Sequence, residues 1–178
     1  MMNNGLKNAV IYDELYTPRY AVVPILEFIN KDKKIMLPFD TKESQFYKVL
    51  NEYGYDVDTG HEDEGQDFFM GFYDEYDIII SNPPYSIKDK VLERLYLIGK
   101  PFMMLLPITT LSSVKRVKMF KRHNIQLVVF DKRINYTGNS GNWFASAYFC
   151  WKILSKDLEF RILEPERVQD NQRRKHNE

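Results

Sequence analysis

Asn82-Pro83-Pro84-Tyr85 is the stretch of this sequence whose residue types and order could do chemistry. Neither proline has an N–H to donate, and each holds the residue before it in an extended shape. The tetrapeptide can therefore join neither a sheet ladder nor a helix. Its carbonyls stay available, and the Asn amide and the Tyr ring project from a stiff support. An Asn side-chain oxygen and a prolyl carbonyl can together accept both hydrogens of a planar amino group. That pairing frees the nitrogen lone pair for attack on an electrophilic carbon, and a neighbouring tyrosine ring can stack on a planar base. The chemistry this suits is group transfer to an exocyclic or amide nitrogen. Pro-Pro also serves simply to end a strand, so the flanking segments have to carry the reading further.

Those segments read as alternating strands and helices. Tyr76 to Ser81, with Ile78-Ile79-Ile80, is a continuous apolar run of the kind that suits a strand buried on both faces. After the prolines, Ser86 is placed to cap a helix with Asp89 in the capping-box position, and Gly99 ends it. Upstream, Thr17-Pro18 reads as a helix start, running to about Asn30 with a bend at Pro24. Lys33 to Leu37 reads as a strand, Lys42 to Tyr53 as an amphipathic helix and Tyr55 to Asp58 as a strand. Gly60 to Gly71 is an acidic loop with a short extended piece near Asp67. Phe102 to Leu106 and Ile125 to Phe130 are further strands around a basic helix at Thr110 to Arg122, and Trp143 to Leu154 and Leu158 to Leu163 are the last strands. Alternation of this kind predicts a three-layer α/β domain with a mostly parallel sheet, over residues 1–164, and a polar, disordered tail at 165–178. Ligands of such sheets bind beyond the carboxyl ends of the strands, which brings Pro38-Phe39-Asp40, Asp58, Asp67 and Asn82 to Tyr85 to one rim.

With these residues in that order, the sequence resembles the S-adenosylmethionine-dependent amino methyltransferases, most closely the N6-adenine DNA methyltransferases, and the small methyltransferase-like proteins of bacteriophages. YDIIISNPPYS, Tyr76 to Ser86, carries the likeness. It implies a Rossmann-like fold with a mostly parallel seven-stranded sheet and an antiparallel final hairpin. It also implies that Asn82 and Pro83 hold the target amino group, that Pro84 shapes the loop and that Tyr85 stacks on an extruded base. Glu14 to Leu26 resembles the segment that closes over the methionine end of the cofactor, bringing in Tyr16 and Thr17. Lys34 to Asp40 resembles the first strand with its Pro-Phe ending, and Gln66 to Phe69 the Asp-Phe segment at the cofactor adenine, here Asp67 and Phe68. Pro101 to Leu111 resembles the strand and loop behind the target-base pocket, and the likeness spans about Leu15 to Trp151.

The sequence departs from that family after Phe39. Where the family continues into Gly-x-Gly, this chain reads Asp40-Thr41-Lys42-Glu43-Ser44. Either Asp40 and Ser44 replace backbone contacts to S-adenosylmethionine with side-chain ones, or the pocket is closed. Asp58 is the nearest acid for the ribose hydroxyls, with Glu62 the weaker candidate. The expected activity is methyl transfer to adenine N6 in DNA. The alternatives are a catalytically inactive relative that binds nucleic acid or a partner enzyme, and methylation of RNA adenine or a protein glutamine amide.

Charge and composition bound the rest. The chain has 178 residues with 25 Lys+Arg and 25 Asp+Glu, but residues 40–80 hold 12 acidic and 2 basic side chains whereas 86–133 hold 11 basic and 3 acidic. Lys88, Lys115, Arg116, Lys132 and Arg133 are the candidate phosphate contacts, and the loop Asp131 to Asn142, with Tyr136, Asn139 and Asn142, could close over a substrate. Trp143, Phe144, Tyr148, Phe149 and Trp151 read as packing residues. Cys150 is the single cysteine, and His61, His123 and His176 lie far apart, so no disulfide and no metal site is expected. The longest apolar run is too short for a membrane span and no signal-peptide pattern opens the sequence, so a cytoplasmic setting is expected. No insertion is long enough for a target-recognition domain, so loops alone or a partner protein would read the target. No phosphate-binding Gly-Lys-Ser/Thr loop and no nucleophile elbow is present.

Overall fold

The structure, a computed structural model, describes residues 16–60, 65–136 and 144–164. Its strands are β1 (Lys34–Leu37), β2 (Asp56–Thr59), β3 (Ile78–Ser81), β4 (Phe102–Pro107), β5 (Gln126–Phe130), β6 (Ser146–Trp151) and β7 (Leu158–Arg161). They form one seven-stranded sheet in the order β2-β1-β3-β4-β6-β5-β7. The first four strands pair in parallel. β6 inserts between β4 and β5, antiparallel to both, and β7 returns to lie parallel to β5 at the outer edge. The expected antiparallel hairpin is thus β5–β6.

Side chains of a strand alternate between faces, and here both faces are covered. Ile35, Leu37, Ile78, Ile80, Met103, Leu105, Val128 and Tyr148 pack into one core. That core is closed by Ala21 of α1 (Arg19–Val22), by Ile25 of the 3₁₀ helix that continues it (Val23–Phe28), and by Phe46, Val49 and Leu50 of α2 (Gln45–Glu52). Met36, Ile79, Phe102, Met104, Leu106 and Phe149 face the other core, under Val91, Leu92 and Leu95 of α3 (Lys88–Ile98) and Phe120 of α4 (Val114–His123). Burial on both sides is why β3 and β4 read as unbroken apolar runs.

Several helix starts differ from the sequence reading, each for a local reason. Pro24 does change the helix, which tightens from α to 3₁₀ at Val23. Thr17 does not cap it: Pro18 holds the cap position, and no side-chain hydrogen bond is made there. α2 starts later than Lys42 because Ser44 is its cap, accepting from Tyr47 N at 3.1 Å. Ser86 does not cap α3. The prolines send the chain into a 3₁₀ turn, Tyr85–Ile87, and α3 begins at Lys88, with Asp89 turned instead to Arg116. The basic helix is likewise split, a 3₁₀ turn at Ile108–Leu111 preceding α4, which Ser113 caps.

Tyr148 joins the layers. It is fully buried on β6, packs against Phe46 and Phe130, and donates to Ala21 O at 2.9 Å. Tyr148→Phe strands that carbonyl. We expect a loss of about 1–2 kcal/mol, read as a lower urea midpoint with an unchanged slope.

Candidate active site

The carboxyl ends of β1 to β5 and the start of the antiparallel β6 meet at one rim, since Pro107 at the end of β4 pairs with Ser146. The turn after β1 is drawn tight over the end of β2. Gly60 N and Asp40 N both donate to Leu37 O, at 2.9 and 3.3 Å, and Asp40 and Gly60 form an isolated bridge. Asp40 is buried, and its carboxylate accepts a hydrogen bond from Ser81, the last residue of β3. This contact ties β1 to β3 immediately before Asn82.

On the β2 side of that tie lies a cleft of about 320 Å³, lined by Met36, Pro38, Gly60, residues 65–68, residues 70–73 and Tyr76. The acidic loop folds over it through a turn in which Asp67 accepts from Phe69 N at 2.8 Å. Phe68 is buried, with Phe39 at 4.9 Å and Tyr73 at 5.6 Å between ring centroids. A Cβ on Gly60 would come within 2.6 Å of the ends of the Gln66 and Met36 side chains, which would have to move aside. Burial pushes the Tyr73 and Tyr76 hydroxyls up to about 12, with Asp58 adding to the effect at Tyr76.

On the other side of the tie lies the Asn-Pro-Pro-Tyr loop. Asn82 Oδ1 and Pro83 are buried. The Tyr85 hydroxyl donates to Tyr136 at 3.3 Å, Tyr136 donates to Ser146 Oγ at 2.9 Å, and Phe144 stands edge-on to Tyr85 at 5.8 Å. Burial raises both phenols, Tyr85 well above its ordinary range, so they act as neutral donors and ring surfaces. Behind this group, the Thr110 hydroxyl in the turn after β4 is buried without a hydrogen-bond partner, as is that of Thr17 before α1.

The structure therefore sorts the sequence candidates. Pro38, Asp67 and Phe68 line the cleft and Phe39 packs on Phe68. Asp58 borders it indirectly, accepting from the Tyr76 hydroxyl at 3.1 Å and pairing with Lys34 at 3.2 Å. Ser44 is engaged as a helix cap, and Tyr16 is exposed beside buried Thr17. Glu62, Glu14, Asn139, Asn142, Trp143, His61 and the tail 165–178 lie outside the described residues.

Among the basic candidates, Arg116 is a clamp, donating to Asp89, Thr110 O and Ser112 O with its side chain only 12% exposed. Lys115 pairs with Glu93, and Lys88 donates to Tyr85 O at 2.8 Å. Lys132 and Arg133 are exposed, as are Lys118, Lys121 and Arg122 on α4. Tyr136 belongs to the loop expected to close over a substrate, whereas Ser146 and Phe144, the latter read as packing, are the site residues that local sequence reading missed. Their signal was the register of β6, which local patterning does not contain.

No family model matches the sequence, and no curated protein matches it. Solved structures do resemble it. One is a Vibrio vulnificus YJ016 protein assigned as the modification subunit of a type I restriction enzyme, at 15% identity and a TM-score of 0.50 over 86% of this chain. The chain spans about half of that subunit, 48% of its length. A Listeria monocytogenes protein assigned to the class I S-adenosylmethionine-dependent methyltransferases follows at 13% identity and TM-score 0.49, over 87% of this chain and 67% of that one. An Agrobacterium tumefaciens protein assigned as an O-methyltransferase aligns at 8% identity and TM-score 0.46, over 82% and 85% of the two chains.

Two measurements test this geometry. Ser81→Ala removes a donor from a buried carboxylate and should cost about 1–3 kcal/mol in urea unfolding. Tyr73 and Tyr76 stay protonated in the folded state to about pH 12, whereas unfolded tyrosines ionise near 10. Their contribution is complete below about pH 10 and is lost as pH rises toward 12. Tyr76→Phe should flatten that decline in urea midpoints followed across the alkaline range. The strand order and the likeness to the Vibrio vulnificus subunit identify the fold of this chain as a Rossmann-like α/β fold with a mixed seven-stranded sheet.

Proposed function

We propose that the protein is an S-adenosylmethionine-dependent methyltransferase acting on the N6 amino group of adenine in DNA. The observation that carries this is the pairing, at one rim, of the cleft at Pro38, Asp67 and Phe68 with the Asn82-Pro83-Pro84-Tyr85 loop, joined through Asp40 and Ser81.

The residues present fit the cofactor. The cleft has an aromatic wall and a glycine, Gly71, where a side chain would collide with the Tyr73 ring. Pro38, Phe68 and Asp67 would hold its adenosine end. Asp40 would supply from a side chain what a glycine loop supplies from its backbone, with a buried negative charge suited to a cationic sulfur. S-adenosylmethionine supplies an electrophilic methyl group when bound. Asn82 and the Pro83 carbonyl accept the two amino hydrogens of the target, which leaves its lone pair directed outward. The Tyr85 ring, locked by Tyr136 and Phe144, offers a face for an extruded base. Transfer releases S-adenosylhomocysteine and one amino proton, and because both phenols stay neutral this proton passes to solvent and not to them.

Exposed Lys118, Lys121, Arg122, Lys132 and Arg133 support nucleic acid as the substrate. Likeness to a protein assigned as a subunit supports target recognition by a partner. One observation favours a second, non-catalytic reading: the Asp40 carboxylate is already engaged by Ser81 in a loop without glycine.

Calorimetric titration separates the two. The enzyme reading expects micromolar binding of S-adenosylmethionine. Asp40→Asn should weaken it about tenfold, and weaken uncharged S-adenosylhomocysteine less. Asn82→Ala should keep cofactor affinity and lower labelled-methyl transfer to DNA at least ~100-fold. No heat at millimolar cofactor and no transfer to DNA would establish the non-catalytic reading.

A further inference from the structure

β7 ends the sheet, and its outer edge is built to match itself. Leu127 N donates to Asp157 O at 2.8 Å and Asp131 N to Arg161 O at 3.1 Å, and Leu163 N donates to the Asp131 side chain. The odd-numbered residues thus turn their peptide groups toward β5. Leu158, Phe160 and Ile162 turn theirs away from the sheet, where no described strand meets them. Their side chains share one face and are 46%, 67% and 69% exposed. Glu159 and Arg161 occupy the opposite face, where Arg161 also pairs with Glu27. The strand is short and carries Glu159 and Arg161, but on the face away from Leu158 and Phe160, and it has no proline or lysine.

We propose that two copies of this chain associate through antiparallel β7–β7 pairing about a two-fold axis at Phe160. In that register Phe160 faces its own counterpart and Leu158 faces Ile162, both through residues whose peptide groups point outward. On the other face each Glu159 meets an Arg161. Apolar residues meet apolar ones, opposite charges meet, and each outward N–H meets an outward carbonyl, that of Phe160 also accepting from Arg161 at 2.7 Å through its second lone pair, all in one alignment of the segment Leu158-Glu159-Phe160-Arg161-Ile162 with itself. This self-complementarity points to a second copy rather than to an unrelated strand. The contact is isologous and closes at two subunits. A pair of strands this short is a small interface, so dissociation is expected at roughly 10–100 µM.

Sedimentation velocity of the full chain over about 1 to 500 µM should show a reversible monomer–dimer equilibrium. Phe160→Lys should be monomeric throughout, with an unchanged melting temperature because the side chain is exposed. Oxidation of Phe160→Cys should give a covalent dimer, since opposed residues of a hydrogen-bonded pair lie about 5.5 Å apart, within disulfide reach. Leu158→Cys should not cross-link, its twin lying about 13 Å along the partner strand. Native Cys150 is buried and its thiol is pushed up by burial, so it does not compete. A chain that stays monomeric at every concentration overturns the proposal, whatever else covers the edge. So does a dimer that Phe160→Lys leaves intact, and so does cross-linking of Leu158→Cys as readily as Phe160→Cys.

Discussion

Asp40 lies at the end of β1 with 8% of its surface exposed, and a carboxylate at that depth needs a donor. Ser81, the last residue of β3, supplies one. The contact is possible because parallel pairing puts Ile35 and Met36 beside Ile78 and Ile79, so both strands finish at the same height. From this fixed point the rim divides. Toward β2, the turn folds back on Leu37 O and leaves a cleft under the acidic loop. Toward β4, the chain leaves Ser81 directly into Asn82 and two prolines. The stiffness of Pro83-Pro84 matters only because what precedes it is anchored.

The second half of the rim is rigid for a different reason. Tyr85, Tyr136 and Ser146 come from three separate loops or strands and form a chain of hydroxyls, with Phe144 wedged beside them. Deprived of water, the two phenols keep their protons. A group in this state serves as a wall and a donor, which is the quality needed to orient a flat ring. Arg116 braces the same region from behind, holding Asp89 of α3 and two carbonyls of the preceding turn. Its charge is thereby withdrawn from the surface that its helix presents.

Much of this could be read from the residues. The apolar run at Ile78 to Ser81 announced a strand buried on both faces, and the prolines announced where it must stop. The Asp67-Phe68 segment was expected at a ligand and lines the cleft. What could not be read depends on pairing between distant segments. Phe144 and Ser146 reach the site because β6 runs antiparallel between β4 and β5, and nothing in the pattern of residues 144–151 states its neighbours. Arg116 looked like part of a basic helix face, because counting charges does not reveal which of them are already satisfied. Ser86 had the spacing of a cap, but the two prolines dictated a tighter turn than a capping box allows.

The place of β6 has a consequence for the timing of synthesis. β4 and β5 have no edge in common; β6 is the strand that joins them, and it is the last but one to be made. Until Ser146 to Trp151 has been made, the Tyr85–Tyr136 pair lacks Ser146 and β5 has no strand to pair with. A nascent chain therefore carries the Asn-Pro-Pro-Tyr sequence for about sixty residues of elongation without the walls that shape it, whereas the cleft beside it draws only on residues already made.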